Sequence, residues 1–249
     1  MANAAQAAVR GLRVTRHTVP WAGPEPLRLV HITDVHVGWG TPRRVLQAVA
    51  ETAHDLRPTA TVLTGDYVNH SLKHLDRVES FVGSLPGPVF ATLGNHDYWA
   101  GAGSVVDTLR ASGATVLINE SAPLGPLTLV GVDDGFTGHH DPDRALAGVD
   151  PSRAVVLSHL PNTADAIAEL GGELVLSGHT HGGQISIPGV TKLVGRAVGI
   201  SYMAGWYQLD GARLYVNAGC GQSFEGLRAG QAARPEVAVF DLVPSAPHA

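Results

Sequence analysis

Residues Glu173–His181 read ELVLSGHTH, an apolar run that ends in glycine and then carries two histidines separated by one residue. Short apolar runs bounded by turn residues are typical of buried β-strands. Two histidines at a glycine-flanked strand end have few structural uses, whereas imidazole nitrogen is a common metal ligand. The stretch therefore predicts a buried strand that delivers metal ligands at its C-terminal end.

Similar apolar runs occur at Leu27–Asp34, Thr59–Asp66, Pro88–Asn95, Leu127–Asp134 and Arg153–His159. Helix candidates lie between the runs, at Pro42–Leu56, Ser71–Leu85, Ser104–Ser112, Asp141–Leu146 and Thr163–Leu170. Strands that alternate with helices indicate crossover connections and a largely parallel sheet. The later sequence predicts a hairpin at 206–216 and a closing strand at Pro235–Val243. We therefore predict an α/β fold with a β-rich C-terminal third.

The composition excludes several classes of protein. The chain has 249 residues, of which 44% are hydrophobic and 16% charged, enough apolar residues for a sizeable core. A net charge of −5 gives no support to non-specific binding of nucleic acid. The single cysteine, Cys220, excludes an intramolecular disulfide and a Cys-rich zinc module. Because we find neither a signal peptide nor an apolar run of membrane-spanning length, we expect a cytoplasmic protein, with peripheral membrane contact left open.

Residues that can bind metal follow the C-terminal ends of five predicted strands. The first three ends read Asp34-Val35-His36, Gly65-Asp66 and Gly94-Asn95-His96-Asp97, and His159 and the pair His179 and His181 follow later strands. The C-terminal ends of strands in open α/β sheets form one rim, where ligands bind. On an extended segment, residues i and i+2 point to the same side, so each D-x-H or H-x-H pair could reach one ion. The pattern predicts a metal site at this rim.

The candidate ligands are too many for one tetrahedral ion: Asp34, His36, Asp66, Asn95, His159, His179 and His181. Carboxylate, imidazole and amide oxygen suit Mn²⁺, Zn²⁺ or Fe. Two divalent ions with two carboxylates and a hydroxide leave a formal charge of about +1, which favours hydrolysis of an anionic substrate. Taken singly, the motifs also fit ordinary turns and helix caps, so the prediction depends on their ordered occurrence.

The motifs D-x-H, G-D, G-N-H-D, single His and G-H-x-H, in this order, resemble those of the calcineurin-like metallophosphoesterases. The stretch GHTHGGQISIPG, Gly178–Gly189, is similar to the bacterial branch that includes UDP-2,3-diacylglucosamine hydrolase-like phosphodiesterases. The resemblance implies a four-layer αββα sandwich with a dimetal site at the C-terminal ends of the strands. It covers 27–243, which leaves 1–26 as an N-terminal lead-in and 244–249 as a tail.

The resemblance also implies a role for each site residue. The first metal would be held by Asp34, His36, Asp66 and His181. The second would be held by Asp66, Asn95, His159 and His179, with Asp66 bridging. His96 would face the phosphate without binding metal, and would stabilise the transition state or protonate the leaving oxygen. Asp97 would orient His96. Neighbouring residues on an extended segment point opposite ways, which also argues against Asn95 and His96 binding the same ion.

Two departures from the family pattern concern the residues after Asp66. Relatives often have an acid three residues after the bridging aspartate, where this chain has Asn69. Purple-acid-type relatives place a tyrosine ligand at that position, whereas Tyr67 is two positions earlier, which argues against their ferric chemistry.

We predict a hydrolase that cleaves a phosphodiester or pyrophosphate bond of a small molecule by attack of a metal-bridged hydroxide. A phosphodiesterase is preferred to a monoesterase on the resemblance. Mn²⁺ is the first expectation for both metals, with Fe, Zn²⁺ or Ni²⁺ as alternatives. One rival interpretation is a non-catalytic metal- or phospholigand-binding protein on the same fold. Another is a dimetal hydrolase of a lactone or an amide. The natural substrate and the oligomeric state stay open.

Several aromatic residues outside the ligand set could contact a substrate. Trp39, Trp99 and Trp206 could wall the mouth of the site or close the edge of the core. His139 and His140 could reach a substrate or lie on the solvated surface.

Overall fold

The structure is a computed structural model that describes residues 11–38, 40–183, 199–222 and 230–245. Trp39 and the predicted motif residues from Gln184 to Gly189 lie outside these ranges. The described strands are β1 (Arg13–Trp21), β2 (Leu27–Ile32), β3 (Ala60–Thr64), β4 (Val89–Thr92), β5 (Thr115–Val116), β6 (Glu120–Leu124), β7 (Leu127–Val132), β8 (Ala154–Ser158), β9 (Leu174–Ser177), β10 (Gly205–Gln208), β11 (Arg213–Val216) and β12 (Glu236–Pro244).

The α-helices of the described residues are α1 (Arg43–Leu56), α2 (Leu75–Gly83), α3 (Asn95–Ala111), α4 (Pro142–Leu146) and α5 (Ala164–Glu169). Within the described ranges, none of the helices combines the length and the hydropathy that a bilayer crossing requires.

The strands form two six-stranded sheets, with the orders β1-β12-β2-β3-β4-β5 and β10-β11-β9-β8-β7-β6. Strands β2 to β5 are mutually parallel, as are β7, β8, β9 and β11. Antiparallel pairing joins β12 to β2, β6 to β7 and β10 to β11. The parallel centres of both sheets confirm the predicted crossover connections.

Both faces of the central strands are buried, and alternate residues of each strand pack on opposite sides of the sheet. In β2, Leu29 packs between the two sheets, whereas Val30 and Ile32 pack against helices. In β8, Leu157 packs between the sheets and Val156 packs on the outer side with α4 and α5. Helices α1 to α3 cover one sheet and α4 and α5 cover the other. The predicted four-layer αββα sandwich is therefore confirmed.

Strands β1, β5 and β6 have no counterpart among the predicted strands, and α3 begins earlier than the predicted helix. Strand β1 lies within the predicted lead-in and pairs in parallel with β12, so Arg13–Trp21 is part of a sheet. The predicted strand Pro88–Asn95 ends at Thr92, and Asn95 instead begins α3. The predicted helix Ser104–Ser112 is the second part of α3, after a break at Gly101, where φ is +133°.

A buried carboxylate joins the two sheets near the start of β12. Glu236 accepts hydrogen bonds from Thr15 Oγ1 at 2.6 Å, from the Ala218 amide at 3.0 Å and from the Tyr215 hydroxyl, and pairs with Arg13 Nη2 at 2.9 Å. Burial would raise the pKa of Glu236, but these partners outweigh it and lower the pKa. The group therefore stays ionised in the folded protein.

We expect Glu236→Gln to lower the free energy of unfolding at neutral pH by about 2–4 kcal/mol, because a neutral amide replaces the buried carboxylate that pairs with the partly exposed Arg13. The folded pKa lies below the ordinary value of 4.5, so the contribution is present above that pH and is lost as the pH falls through the folded pKa. Urea unfolding of both proteins from pH 7 down to acid should show the difference shrinking. A difference that is small at pH 7, or that grows in acid, would contradict this role.

Candidate metal centre

Five predicted ligands lie on backbone of an unusual conformation. Positive φ angles occur at Asp34 (+52°), His36 (+45°), Asp66 (+56°), His179 (+72°) and His181 (+49°). Such angles cost about 1–3 kcal/mol each for residues with a side chain and persist only where the surroundings enforce them. Among the described non-glycine residues, only Arg57 and Asn119 share this conformation elsewhere. Backbone strain is thus concentrated at the predicted metal ligands.

The positive φ angles at these ligands contradict the prediction that each histidine pair or D-x-H pair lies on an extended strand. Asp34 and His36 lie in a left-handed loop after β2, so their common direction does not come from a strand repeat. The two histidines of the H-x-H pair also fall into different donor clusters, because His181 lies with Asp34 and His179 lies with His159. The backbone turns sharply at both pairs, which the strand pattern did not predict.

Two glycines of the motifs let these loops approach each other closely. A Cβ atom on Gly94 would lie 2.3 Å from Asp66 Oδ1, and one on Gly178 would lie 2.4 Å from Asp34 Oδ2. Any larger residue would displace a candidate ligand, which explains why glycine precedes both Asn95 and His179. The glycines of the G-N-H-D and G-H-x-H motifs are the sequence signal of this close approach.

The first group of donor atoms comes from Asp34, His36 and His181. His36 Nε2 lies 2.9 Å from His181 Nε2, and His181 Nε2 lies 3.3 Å from Asp34 Oδ1. All three residues are buried. Thr33 Oγ1 and the His179 amide donate hydrogen bonds to the Asp34 carboxylate and fix its orientation.

The second group comes from Asp66, Asn95, His159 and His179. His159 Nε2 lies 3.1 Å from Asn95 Oδ1 and 3.2 Å from His179 Nδ1, and Asn95 Oδ1 lies 2.9 Å from His179 Nδ1. His159 Nδ1 contacts the Thr64 carbonyl oxygen at 2.7 Å. A carbonyl can only accept, so Nδ1 carries a proton and Nε2 is the nitrogen that faces the group.

One oxygen of Asp66 reaches both groups. Asp66 Oδ2 lies 3.5 Å from His36 Nε2 and 3.3 Å from His159 Nε2. The other oxygen, Oδ1, accepts a hydrogen bond from the His96 amide at 2.9 Å, which holds the carboxylate in this orientation.

The spacing of these atoms fits two divalent cations. Metal–ligand bonds of about 2.1 Å at angles of about 90–110° place neighbouring ligand atoms about 3.0–3.4 Å apart. Most neighbouring donors of the two groups are 2.9–3.5 Å apart, and His36 Nε2 lies 3.9 Å from Asp34 Oδ1. Two imidazole nitrogens that face each other at 2.9 Å can be hydrogen-bonded only if one is protonated, whereas a shared cation satisfies both.

Burial and neighbouring charges shift the pKa values of the pocket residues in different directions. Burial would lower the pKa of His159, but the adjacent Asp66 carboxylate outweighs it and raises the pKa to about 10. Burial raises the pKa of Asp34 despite the opposing charge of His159. Burial and His159 together lower the pKa of His179 to about 4, so this imidazole is neutral and able to bind metal at neutral pH.

His96 lies beside both groups at the rim of the site, half-buried. Its ring Nδ1 contacts the Asn69 carbonyl oxygen, so Nδ1 carries a proton and Nε2 is the nitrogen that can exchange one. One candidate donor cluster also contains His96, with His36 and Asp66. Because Asn95 and His96 begin α3, their different directions come from the helical turn rather than from the alternation of an extended segment.

Asp97 does not have the predicted contact with His96. Its buried carboxylate accepts hydrogen bonds from the Asp66 amide at 2.8 Å, the Tyr67 amide at 2.9 Å and the Gly94 amide at 2.9 Å. Asp97 is the third residue of α3, where an acid commonly caps the helix N-terminus. Its contacts fix the loop that carries Asp66, and the Asn69 carbonyl orients His96 instead. A backbone carbonyl leaves no signal in the sequence.

The aromatic candidates divide into two locations. Trp99 packs against His96 at the rim, with ring centroids 4.9 Å apart. Trp206 instead packs against His17 and Tyr215 in β1 and β11, so it closes an edge of the core. His139 stacks on Tyr98 with ring centroids 3.9 Å apart, and His140 is exposed.

We expect chelation of metal to lower the melting temperature of the metal-loaded protein by about 5–15 °C. Ions that bind the folded chain alone contribute a few kcal/mol when they are well above their Kd, and 1 kcal/mol corresponds to about 2–4 °C in a chain of this size. Calorimetric scans before chelation, after chelation and after addition of Mn²⁺ should show a loss and a recovery. An unchanged melting temperature would argue against coupling of metal binding to folding.

Comparison with known proteins gives a consistent family match. A family model described as calcineurin-like phosphoesterase matches residues 27–183. An uncharacterized metallophosphoesterase, YkuE of Bacillus subtilis (strain 168), is 29% identical over 247 residues, which cover 93% of this chain and 85% of the relative.

Two further relatives have names that state a reaction. The phosphodiesterase YaeI of Escherichia coli (strain K12) is 29% identical over 228 residues, which cover 88% of this chain and 83% of the relative. The UDP-2,3-diacylglucosamine pyrophosphatase LpxG of Chlamydia trachomatis serovar D is 30% identical over 236 residues, which cover 71% of each chain.

Proposed function

Because the chain belongs to the calcineurin-like phosphoesterase family of metal-dependent phosphoester hydrolases, we propose that it hydrolyses a phosphodiester or pyrophosphate bond of a small molecule. The observation that carries the proposal is the position of Asp66 Oδ2, within 3.5 Å of His36 Nε2 and 3.3 Å of His159 Nε2. A carboxylate between two donor groups suits a centre of two ions. Such ions, when bound, would activate water for in-line attack and offset negative charge on the phosphoryl oxygens.

We assign Asp34, His36, Asp66 and His181 to the first ion and Asp66, Asn95, His159 and His179 to the second. The distances within each set support the assignment. The mixture of carboxylate, amide oxygen and imidazole suits Mn²⁺, which we propose for both positions.

His96 serves in this proposal as the general acid for the leaving group. The Asn69 carbonyl holds the Nδ1 proton, so a protonated ring presents Nε2–H toward a substrate at the rim. That hydrogen bond aligns the ring without binding it to a metal. The leaving oxygen would take the Nε2 proton as its bond to phosphorus breaks. Asp97 acts indirectly, because its carboxylate holds the backbone of Asp66 and Tyr67.

A phosphodiester or pyrophosphate is preferred to a monoester for two reasons. The names of YaeI and LpxG each describe cleavage at a phosphorus with substituents on both sides. In addition, a centre with a formal charge of about +1 matches the single negative charge of a diester.

A panel of metals and substrates tests the proposal. Chelator-treated protein is reloaded with Mn²⁺, Fe²⁺, Zn²⁺ or Ni²⁺ and assayed on bis-p-nitrophenyl phosphate, p-nitrophenyl phosphate, a nucleotide-sugar pyrophosphate and p-nitrophenyl acetate. We expect the highest kcat/KM on the diester or the pyrophosphate with Mn²⁺. Tight metal binding without turnover would favour a binding protein. Turnover of the carboxylic ester alone would favour hydrolysis of another bond.

A further inference from the structure

Two large aromatic side chains stand exposed beside the candidate metal centre. Trp99 and Phe136 are each 54% exposed, the highest values among the large hydrophobic residues that the structure describes as exposed. Their rings form a T-shaped pair with centroids 5.8 Å apart. We call these two residues the aromatic wall. Exposed apolar groups that cluster at a site commonly mark a binding surface.

The aromatic wall extends from the proposed general acid to a ligand of the second group. The Trp99 ring lies 4.9 Å from the His96 ring, and the Phe136 ring lies 5.3 Å from the His179 ring. A phosphoryl group held between His96 and His179 would therefore have both rings of the wall at one side.

The segments that carry Trp99 and Phe136 contact each other through neighbouring residues. Tyr98, the neighbour of Trp99 on α3, stacks on His139 at an interplanar angle of 13°. The Tyr98 hydroxyl also donates a hydrogen bond to Asp133. These two contacts connect the beginning of α3 to the loop that carries Phe136.

The loop itself is fixed by a buried acid. Asp134 accepts hydrogen bonds from the Phe136 amide at 3.2 Å, from the Thr137 amide at 2.8 Å and from Thr137 Oγ1 at 2.7 Å. Both exposed rings are thus carried by segments that hydrogen bonds and ring contacts hold in one conformation. A preorganised surface of this kind loses little conformational entropy when it binds a ligand.

We propose that the aromatic wall is the subsite for a planar aromatic group on the leaving side of the substrate. The inference rests on the proposed function, because it is His96 that places the leaving oxygen beside Trp99. Aromatic rings attract one another in stacked or edge-to-face arrangements at centroid distances of about 4.5–7 Å. The exposed parts of the Trp99 and Phe136 rings allow such contacts, although His70 stacks on Trp99 with centroids 6.3 Å apart. The substrate class is then a phosphodiester or pyrophosphate whose departing portion carries an aromatic ring.

Two diesters test whether the aromatic wall recognises the leaving group. Methyl p-nitrophenyl phosphate has an aromatic leaving group, and methyl 2,2,2-trifluoroethyl phosphate has a small alkyl one. We expect Trp99→Ala and Phe136→Ala each to lower kcat/KM about 10–100-fold on the first and less than about threefold on the second, the range that apolar pockets give. Trp99→Phe should recover part of the loss. Metal content and melting temperature should equal those of the wild type.

Trp206→Ala provides the matched control, because Trp206 is 39% exposed but packs against His17 at the edge of the sheets. It should leave both rates unchanged. If all three alanine variants lose activity equally, or if Trp99→Ala is equally impaired on both diesters, the subsite assignment is wrong.

A second pair of substrates separates the leaving side from the other side. The compounds p-nitrophenyl methylphosphonate and p-nitrophenyl phenylphosphonate share a leaving group and differ in the group that stays on phosphorus. The wild-type kcat/KM values on the two compounds should differ by no more than about threefold, because we expect the hydrophobic discrimination on the leaving side. A preference for the phenyl compound that disappears in Trp99→Ala would place the subsite on the opposite side and overturn the inference.

Direct binding gives a measurement that is independent of turnover. Titration calorimetry of the Mn²⁺-loaded protein should show tighter binding of benzylphosphonate than of cyclohexylmethylphosphonate or methylphosphonate, and Trp99→Ala should remove the difference. Equal binding of the three would overturn the inference while leaving the proposed function intact. If the wild type hydrolyses none of the diesters with any metal, the proposed function fails, and the leaving-group assignment fails with it.

Discussion

Asp66→Asn is expected to lower kcat/KM on bis-p-nitrophenyl phosphate by about 10³-fold or more and to reduce bound metal below two ions per chain. Metal-assisted stabilisation contributes several kcal/mol, and each 1.36 kcal/mol corresponds to about tenfold in rate. In the wild type, Asp66 Oδ2 faces His36 and His159, while Asp66 Oδ1 accepts a hydrogen bond from the His96 amide. Asparagine has one carbonyl oxygen and one NH₂ group, so one of these two sides would meet a donor instead of an acceptor.

The measurement is elemental analysis of metal in the purified variant together with steady-state kinetics. Asp107→Asn is a suitable control, because Asp107 is exposed on α3 and the same chemical change there should affect neither quantity. Two tightly held metals per chain in Asp66→Asn would contradict a bridging role. In that case the two donor groups would bind their ions independently.

The centre of the fold could be predicted from the sequence because its signals are local. Strands β3, β8 and β9 are short, mostly apolar runs in which every residue is buried, as is typical of strands covered on both faces. Strand β1 gives no such signal, since its residues alternate between half-buried and exposed along most of its length. It is ordered by pairing with β12, where Arg13 lies opposite Glu236. A pairing partner so distant in the chain cannot be inferred from a local pattern.

The candidate ligands could also be predicted, whereas their supporting contacts could not. Asp34, Asp66 and His159 each follow a predicted strand, and the shared rim of the sheets brings them together. The left-handed backbone at Asp34 and Asp66 is imposed by neighbouring loops, including the close approach of Gly94 and Gly178. The position of Asp97 two residues after Asn95 fits equally a catalytic partner and a helix cap, and only the three-dimensional contacts distinguish the two.

His96→Ala should keep near-normal metal content but lose about 10²–10⁴-fold in kcat on diesters with poor leaving groups. A general acid typically contributes a factor of this size. The loss should be much smaller with p-nitrophenolate, which departs without a proton. Metal content should stay near normal for two reasons. The His96 ring is hydrogen-bonded to the Asn69 carbonyl, and the hydrogen bond to Asp66 Oδ1 comes from the His96 backbone amide, which alanine retains. Rates on an alkyl diester and on bis-p-nitrophenyl phosphate, with metal analysis of each sample, test the prediction.

His96→Asn separates proton transfer from simple hydrogen bonding. The asparagine amide can donate a hydrogen bond to a phosphoryl oxygen but cannot release a proton to an alkoxide. If His96 is a general acid, His96→Asn should therefore be as impaired as His96→Ala on the alkyl diester. His54→Ala controls for loss of an imidazole, since His54 is exposed at the end of α1. Loss of metal in His96→Ala would instead make His96 a ligand, consistent with its donor cluster with His36 and Asp66. Equal damage with both kinds of leaving group would leave transition-state stabilisation as its role, because only proton transfer depends on the basicity of the departing oxygen.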